Sequence, residues 1–468
     1  MNQVVLLDRE FRKYAALDGL LTVKDLSWDL PGGPKRAELE LAGKLEYHLE
    51  RVLDLLRFGV EVYCEHGEVI WGGYVHGVTL QKGVQRFSLS LDGYANRVAV
   101  RYESLSGRAT WETAAAVSGF VEDSQGVAAF GQKEWIGFLP RATPGEALAA
   151  ALSWLKEKGQ FQKTIESGTN SDEKIIIDCR GWWDTLGWKF YRQDGGFLGY
   201  LIEGKLESVF GRYSSAAKIG QKFLVPAGGL STFETWVRMG KTGEPTDQIV
   251  FEIAADNSGV PGAAVLASGT LAGAELTGGL NWVGCMLSAA ALAAGGVYWL
   301  VVRRSGALDA NHYYVVQVDE GAGYANGELR GWNGSAWVLQ AGDMGFAVLG
   351  GKETSEQIKL IAGAGGQFLK GVRVIDASGV QGRLWRPLER SCLEEITDLL
   401  NVGTLSGRKL DAAVDGQRNL VIWERKEDPE WRMDENGKLW TLAGAEWGAW
   451  MDWIGGVAVT GWGEISII

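Results

Sequence analysis

The chain has 468 residues, 46% hydrophobic and 22% charged, with a formal net charge of −12. That length exceeds a single hydrophobic core and predicts about three to four domains. The composition is that of a folded globular protein, and the acidic balance argues against direct nucleic-acid binding, which depends on clustered Lys and Arg.

From the N-terminus, residues 1–30 carry Asp8, Arg9, Glu10, Arg12, Lys13 and Asp18, so no apolar signal-peptide core is expected there. Ala37, Leu39 and Leu41 alternate with Glu38 and Glu40, the period of a half-buried strand. Leu45, Leu49, Val52, Leu53 and Leu56 follow at helical spacing, with Gly59 placed as the residue just beyond the helix. Strands are expected at 60–64, 69–71, 74–80 and 86–91. One short helix and a meander of this kind predict a small closed β-barrel over residues 1–110, since closure removes exposed edges.

Residues 111–204 read as a first α+β unit. Thr143-Pro144-Gly145-Glu146 is a capping box with Pro at the first helical position, and it opens a helix whose Leu148, Ala151, Leu152 and Leu155 share a face. A strand at 174–179 and the run Gly181-Trp182-Trp183-Asp184 follow.

Residues 205–351 change character, becoming rich in Gly and Ala and poor in charge. Short runs such as Ile249-Val250-Phe251-Glu252-Ile253 and Tyr298-Trp299-Leu300-Val301-Val302 are separated by evenly spaced turn clusters, the pattern of an inserted antiparallel β-sandwich. Its most apolar stretch, 287–302, ends at Arg303 and Arg304 and falls short of the roughly 20 residues that cross a bilayer. Residues 352–468 return to the earlier rhythm. Ser391-Cys392-Leu393-Glu394 is a second capping box, its helix shows Leu393, Ile396, Leu399 and Leu400, and strands are expected at 409–414 and 420–423. The fold class is therefore mainly β with α+β: a small barrel and duplicated α+β units, interrupted by a sandwich.

Chemistry-bearing motifs are few. Cys64, Cys179, Cys285 and Cys392 are scattered without disulfide or zinc spacing, and His48, His66, His76 and His312 lack metal-ligand spacing. Gly240-Lys241-Thr242 has Thr235 where a phosphate-binding loop needs its first glycine, and Lys352 is followed by Glu353 where a hydroxyl is needed. Glu394-Glu395 and Glu427-Asp428-Pro429-Glu430 sit in no catalytic frame and read as solvated charge. No enzyme activity, cofactor or metal is expected.

Aromatic residues carry more. The chain has 21 tryptophans. Trp447, Trp450 and Trp453, spaced three apart, are expected at an interface between protomers. Trp332 and Trp337 bracket Asn333-Gly334-Ser335, a tight turn, so that the rings either stack on sugar or pack across the hairpin. Asp309, Asn311 and Tyr314 either complete a polar binding edge or shape an Asx-type turn.

Two resemblances follow from particular runs. Phe58-Gly59-Val60-Glu61-Val62, Val69-Ile70-Trp71-Gly72-Gly73-Tyr74-Val75 and the strand at 87–93 resemble the first barrel of tail-hub proteins of tailed bacteriophages. Thr397-Asp398-Leu399-Leu400-Asn401-Val402-Gly403 and Asp415-Gly416-Gln417-Arg418-Asn419-Leu420 are similar to the second α+β unit of such minor tail proteins. The resemblance spans about residues 1–200 and 355–468. It implies a structural protein of the virion tail, assembled in the host cytoplasm as a homotrimeric ring, with a six-fold distal tail ring as the alternative. Tube, distal tail, and fibre or spike proteins are its implied partners. Within the insert, Phe233-Glu234-Thr235-Trp236-Val237-Arg238, Asp256-Asn257-Ser258-Gly259-Val260-Pro261-Gly262 and Asn311-His312-Tyr313-Tyr314 are similar to jelly-roll modules that resemble carbohydrate-binding domains. That likeness implies host-surface carbohydrate as a partner and leaves a carbohydrate-binding, adhesin-like protein as the alternative.

Overall fold

The alternation at 37–41 builds a strand whose inward side chains Ala37, Leu39 and Leu41 are buried, and the same logic repeats across a mainly β chain. A computed structural model describes residues 3–104, 114–167, 173–193, 196–201, 206–319, 321, 323–384, 386, 388–425, 431–433, 439–441, 457–459 and 465–467. The chain divides into two compact units. One comprises Met1–Tyr191, Thr354–Val380 and Leu388–Ile468, the other Arg192–Glu353 and Gln381–Pro387.

In the first unit an eight-stranded antiparallel sheet runs in the order Gln3–Leu7, Gly59–Tyr63, Val69–Lys82, Lys174–Gly181, Gly33–Leu41, Leu21–Asp29. Gln85–Ser90 pairs with the far half of Val69–Lys82 and is flanked by Gln162–Ser167. The sheet thus draws strands from both sides of residue 110. It is a half-barrel, with no ladder among the described residues joining Gln3–Leu7 to Leu21–Asp29. Closure is unnecessary because other elements fill the core. Trp182 and Trp188, on the turn Trp182–Trp188, lie 5.5 and 5.3 Å from the Tyr74 ring and each 5.6 Å from Phe368. One hydrophobic cluster then joins Leu39, Val62 and Ile177 of the sheet to Ile358, Ile396 and Leu399 of two later helices.

The turn can sit there because the backbone closes up just before it. Gly181 opposes Gly73 in the ladder, and a Cβ on Gly181 would lie 1.7 Å from the carbonyl oxygen of Pro34. Only glycine fits.

The expected helix near residue 50 is short, Leu49–Leu53, and Gly59 does not terminate it but starts the strand Gly59–Tyr63. The left-handed position falls on Arg57, at φ 68°. Its buried guanidinium sits 5.6 Å from the Phe11 ring and 5.2 Å from Phe368, so the rings take the charge that water would otherwise solvate. Burial, with Arg9 beside it, lowers its pKa to about 10.

Both capping boxes form. Thr143 Oγ1 accepts from the Glu146 N–H at 3.3 Å while Glu146 Oε2 accepts from the Thr143 N–H at 2.8 Å; Ser391 and Glu394 make the same pair at 3.3 and 2.7 Å. The helix Pro144–Lys158 buries Ala147 and Ala151 on a four-stranded sheet holding Val98, Val100 and Tyr102. Leu148 and Leu152, expected on its inner face, are exposed. Small alanines bring the helix close to the sheet, so the buried stripe is rotated by one residue. The second helix, Cys392–Val402, buries Ile396, Leu399 and Leu400 as expected. The strands after the first helix join the half-barrel, whereas Leu410–Val414 and Asn419–Glu424 form a separate three-stranded sheet with Gly371–Val374.

The second unit is an antiparallel β-sandwich. One sheet runs Phe197–Tyr200, Phe346–Glu353, Leu230–Thr242, Tyr313–Asp319, Leu206–Phe210, with further short strands paired onto it. The other runs Pro261–Ala272, Gln248–Asp256, Val297–Arg304, Lys218–Leu224, Leu329–Trp332, Trp337–Gln340. The chain crosses repeatedly between the two sheets around a core that includes Phe210, Phe223, Phe251, Tyr314 and Phe346. Trp447, Trp450 and Trp453 lie outside the described residues.

Gly181→Ala is expected to destabilise the chain by about 3 kcal/mol, because backbone rather than a mobile side chain blocks the new methyl. Ser391→Ala, which removes one cap, is expected to cost about 1 kcal/mol. Urea denaturation followed by tryptophan fluorescence measures both; equal losses would show that the close approach at Gly181 is not tight.

Candidate binding groove

Strand alternation decides which side chains the six-stranded sheet turns away from the sandwich core. Ile219, Phe251, Ile253, Leu300 and Val302 point into the core, so Lys218, Gly220, Glu252, Ala254, Trp299, Val301 and Arg303 face outward. Trp337 opposes Trp332, Trp332 opposes Lys218, and Lys218 opposes Arg303 across three successive ladders. These four side chains therefore form one row.

Beside the row lies an open groove of about 800 Å³. Trp332 and Trp337 line one side, and the loop carrying Asn257, Val260 and Pro261 lines another. Gly220 lies buried beneath two of these lining residues: a Cβ there would meet Pro261 at 3.2 Å and the Trp337 ring at 3.5 Å. Beneath Trp337, Ala254, Trp299 and Val301 form a small buried cluster on this outer face. Trp299 is fully buried and donates its indole N–H to Asp256 Oδ1 at 2.7 Å.

The tryptophan pair packs across its hairpin. The rings pack edge to face, with centroids 5.6 Å apart and planes at 67°, yet both are half-buried and line the groove. Their turn is held by the Asn333 side chain, whose Oδ1 accepts from the N–H of Ser335 at 3.0 Å and of Ala336 at 2.8 Å.

Of the two alternatives for Asp309, Asn311 and Tyr314, the Asx-type turn is the one that forms, and Tyr314 is buried away from it. Asp309 Oδ1 accepts from the N–H of Asn311 at 2.8 Å and of His312 at 3.1 Å, the Asx-type turn, and these bonds hold its carboxyl below the usual range. Tyr314 is fully buried, stacked on Phe210 at 5.5 Å, with its hydroxyl donating to the Asp247 carbonyl at 3.0 Å. Alternation points Tyr314 inward, and only its neighbour Tyr313 outward.

The charged residues of the groove were hidden in the sequence because they sit far apart in it. Arg303 faces out and gives Nε and Nη2 to Glu252 Oε1 at 2.9 and 2.6 Å. Arg304 faces in and pairs with Asp247 at 2.9 and 2.8 Å. The Arg303-Arg304 dipeptide was readable only as the end of an apolar run; its split between two faces was the available signal.

The first unit holds a different ionisable cluster. His76, nearly fully buried, places Nε2 3.0 Å from Asp92 Oδ1, and Arg180 Nη2 lies 3.1 Å from the same oxygen. Tyr74 donates its hydroxyl to Asp184. A cavity of about 560 Å³ in this unit is lined by Asp29, Lys35, Arg36, Asp178, Arg180 and Asp184. Those charges pair with one another: Lys35 with Asp29 at 2.6 Å, Arg36 with Asp178 at 2.7 Å, Arg180 with Asp184 at 3.8 Å. Among the described residues no group of three His, Cys, Asp or Glu side chains is placed to hold a metal, and no helix is long and apolar enough to cross a membrane.

No protein-family model and no curated protein matches the chain. Among solved structures, it is similar to the mosquito-larvicidal Cry4Aa toxin from Bacillus thuringiensis, at 6% identity over 68% of this chain and 51% of the toxin, with a TM-score of 0.16. It is also similar to the N-terminal CBM22 tandem domain of Xyn10C from Paenibacillus barcinonensis, at 10% identity over 64% of this chain and 90% of that one, again with a TM-score of 0.16. The chain spans about half the length of the toxin. Likenesses this slight bear on neither fold nor function.

Burial, and then Arg180, lower the His76 pKa from 6.5 despite Asp92. The unfolded imidazole takes its proton first, so folding stability is expected to hold above about pH 6.5 and to fall as the pH drops below it. Urea midpoints at about pH 7.5 and about pH 5.5 measure the slope, which His76→Gln should flatten.

Proposed function

We propose that this chain is a structural protein of a phage tail tip: a hub that forms a ring at the end of the tail tube and carries a peripheral sandwich that binds host-surface carbohydrate. The observation that carries the recognition half is the groove, where two half-buried indoles lie beside Lys218, Glu252 and Arg303 on the solvent face of a sheet. A sugar ring offers an apolar C–H face for the indoles and hydroxyls for the polar groups, the mixture of one broad apolar wall and few polar groups typical of ligand sites. The hub half is supported by the tail-hub resemblance. Its first runs fall in the strands Gly59–Tyr63, Val69–Lys82 and Gln85–Ser90, neighbours in one sheet, and its later ones in the helix Cys392–Val402 and the strand Asn419–Glu424. A ring of three copies, joined to tube, distal tail and fibre or spike proteins, gives such a chain its place in the virion. The reading assigns it no catalytic step, cofactor or metal.

Mass photometry and negative-stain electron microscopy of the full chain test the assembly. A trimer at three times the 50.8 kDa chain mass, with a central channel, is expected. Replacing Trp447, Trp450 and Trp453 together by Ala should shift the trimer to monomer, since aromatic side chains concentrate at such interfaces. A six-fold ring would move the chain to the distal tail position. A native monomer would overturn the hub and leave an adhesin-like protein.

A further inference from the structure

The charges lining the sandwich groove do not cancel, in contrast to those of the cavity in the first unit. Glu252 is engaged by Arg303 through two hydrogen bonds. Arg304, at the rim, is held by Asp247. Lys218 remains. It is half-buried, lies between Trp332 and Arg303 in the row, and places its ammonium 5.9 Å from the centroid of the Trp332 ring. Among the described residues no carboxylate pairs with it. The groove therefore offers an uncompensated cation beside an aromatic wall.

We propose that the saccharide bound in this groove is anionic, its carboxylate or phosphate held by Lys218 while its ring stacks on Trp332 and Trp337. The inference rests on the carbohydrate reading of the groove and adds the class of sugar. An ammonium partly covered by an indole has lost hydration, so an incoming anion regains a charge-assisted hydrogen bond with less water to displace. The chain's net charge of −12 opposes an anion only at long range. Screening over about 8 Å at physiological salt confines that repulsion, and within the groove the nearest unpaired charge decides.

The test uses the full chain and three probes in isothermal titration calorimetry: tetragalacturonate, the same tetramer with its carboxylates reduced to alcohols, and a maltotetraose phosphate. At least one anionic probe is expected to bind about ten-fold more tightly than the reduced tetramer, a difference of about 1.4 kcal/mol. The advantage should shrink as NaCl rises from about 20 mM to about 500 mM. Which anionic probe binds distinguishes a uronate source from a phosphate source. Lys218→Gln should remove the advantage and Lys218→Arg should keep most of it, with unchanged circular dichroism confirming the fold. Equal affinity for the reduced and the charged tetramers, or full anion affinity in Lys218→Gln, would overturn the inference alone. Failure of all three probes and of a neutral glycan panel would overturn the carbohydrate reading with it.

Discussion

Three stretches of backbone meet at Gly181 so closely that no side chain fits between them. Gly73 lies opposite in the ladder, and the Pro34 carbonyl lies where a Cβ would be. The strand Lys174–Gly181, arriving from late in the first segment, can therefore wedge between Val69–Lys82 and Gly33–Leu41 and release the chain directly into the turn Trp182–Trp188. Trp182 and Trp188 then fill the space between Tyr74 and Phe368. Burial of rings this size contributes several kcal/mol each, as an upper bound of about 4–6 from area alone. An open half-barrel can be stable because this indole layer and the later helices complete its core.

In the sandwich the governing constraint is alternation. A strand that must point Leu300 and Val302 into the core has no choice but to turn Val301 and Arg303 to the opposite face. The neighbouring arginines resolve the same constraint in opposite directions. Arg304, pointed inward, is tolerable only because Asp247 meets it bidentately, since an unpaired buried charge would cost several kcal/mol. Arg303, pointed outward, is free to shape a surface. The groove is thus a by-product of core filling on one face, tuned by which residues occupy the other.

Local signals in the sequence foretold local structure. Two S/T-x-x-E boxes became two reciprocal caps, because everything a capping box needs lies within four residues. The sandwich announced itself through period-two runs, since each strand carries its own inner and outer face. The failures share a different cause: the deciding partner is distant. Helical spacing around residue 50 gave no hint that Phe11 and Phe368 would hold Arg57 in a left-handed conformation. Leu148 and Leu152 looked like a buried stripe until the sheet they face proved to prefer the alanines. Tyr314 looked like a polar edge because its inward phase could be set only by the strands that flank it. The groove required Lys218, Glu252, Arg303 and Trp337 to be brought side by side, and no motif spans that separation.

The insertion is also less separable than a contiguous stretch of unusual composition implies. Phe197–Tyr200 pairs with Phe346–Leu349, and Gln381–Arg383 pairs with Gly351–Glu353. Arg383 sends Nε and Nη2 to Glu234 Oε2 at 2.9 and 2.6 Å. A piece cut at residues 205 and 351 would lack both of those strands. It would leave part of the edge of Phe346–Glu353 unpaired, and Glu234 would keep its mostly buried carboxylate without the guanidinium that meets it. Residues on both sides of the compositional boundary complete the sandwich, which is whole only in a chain that leaves this unit at Glu353 and comes back to it at Gln381.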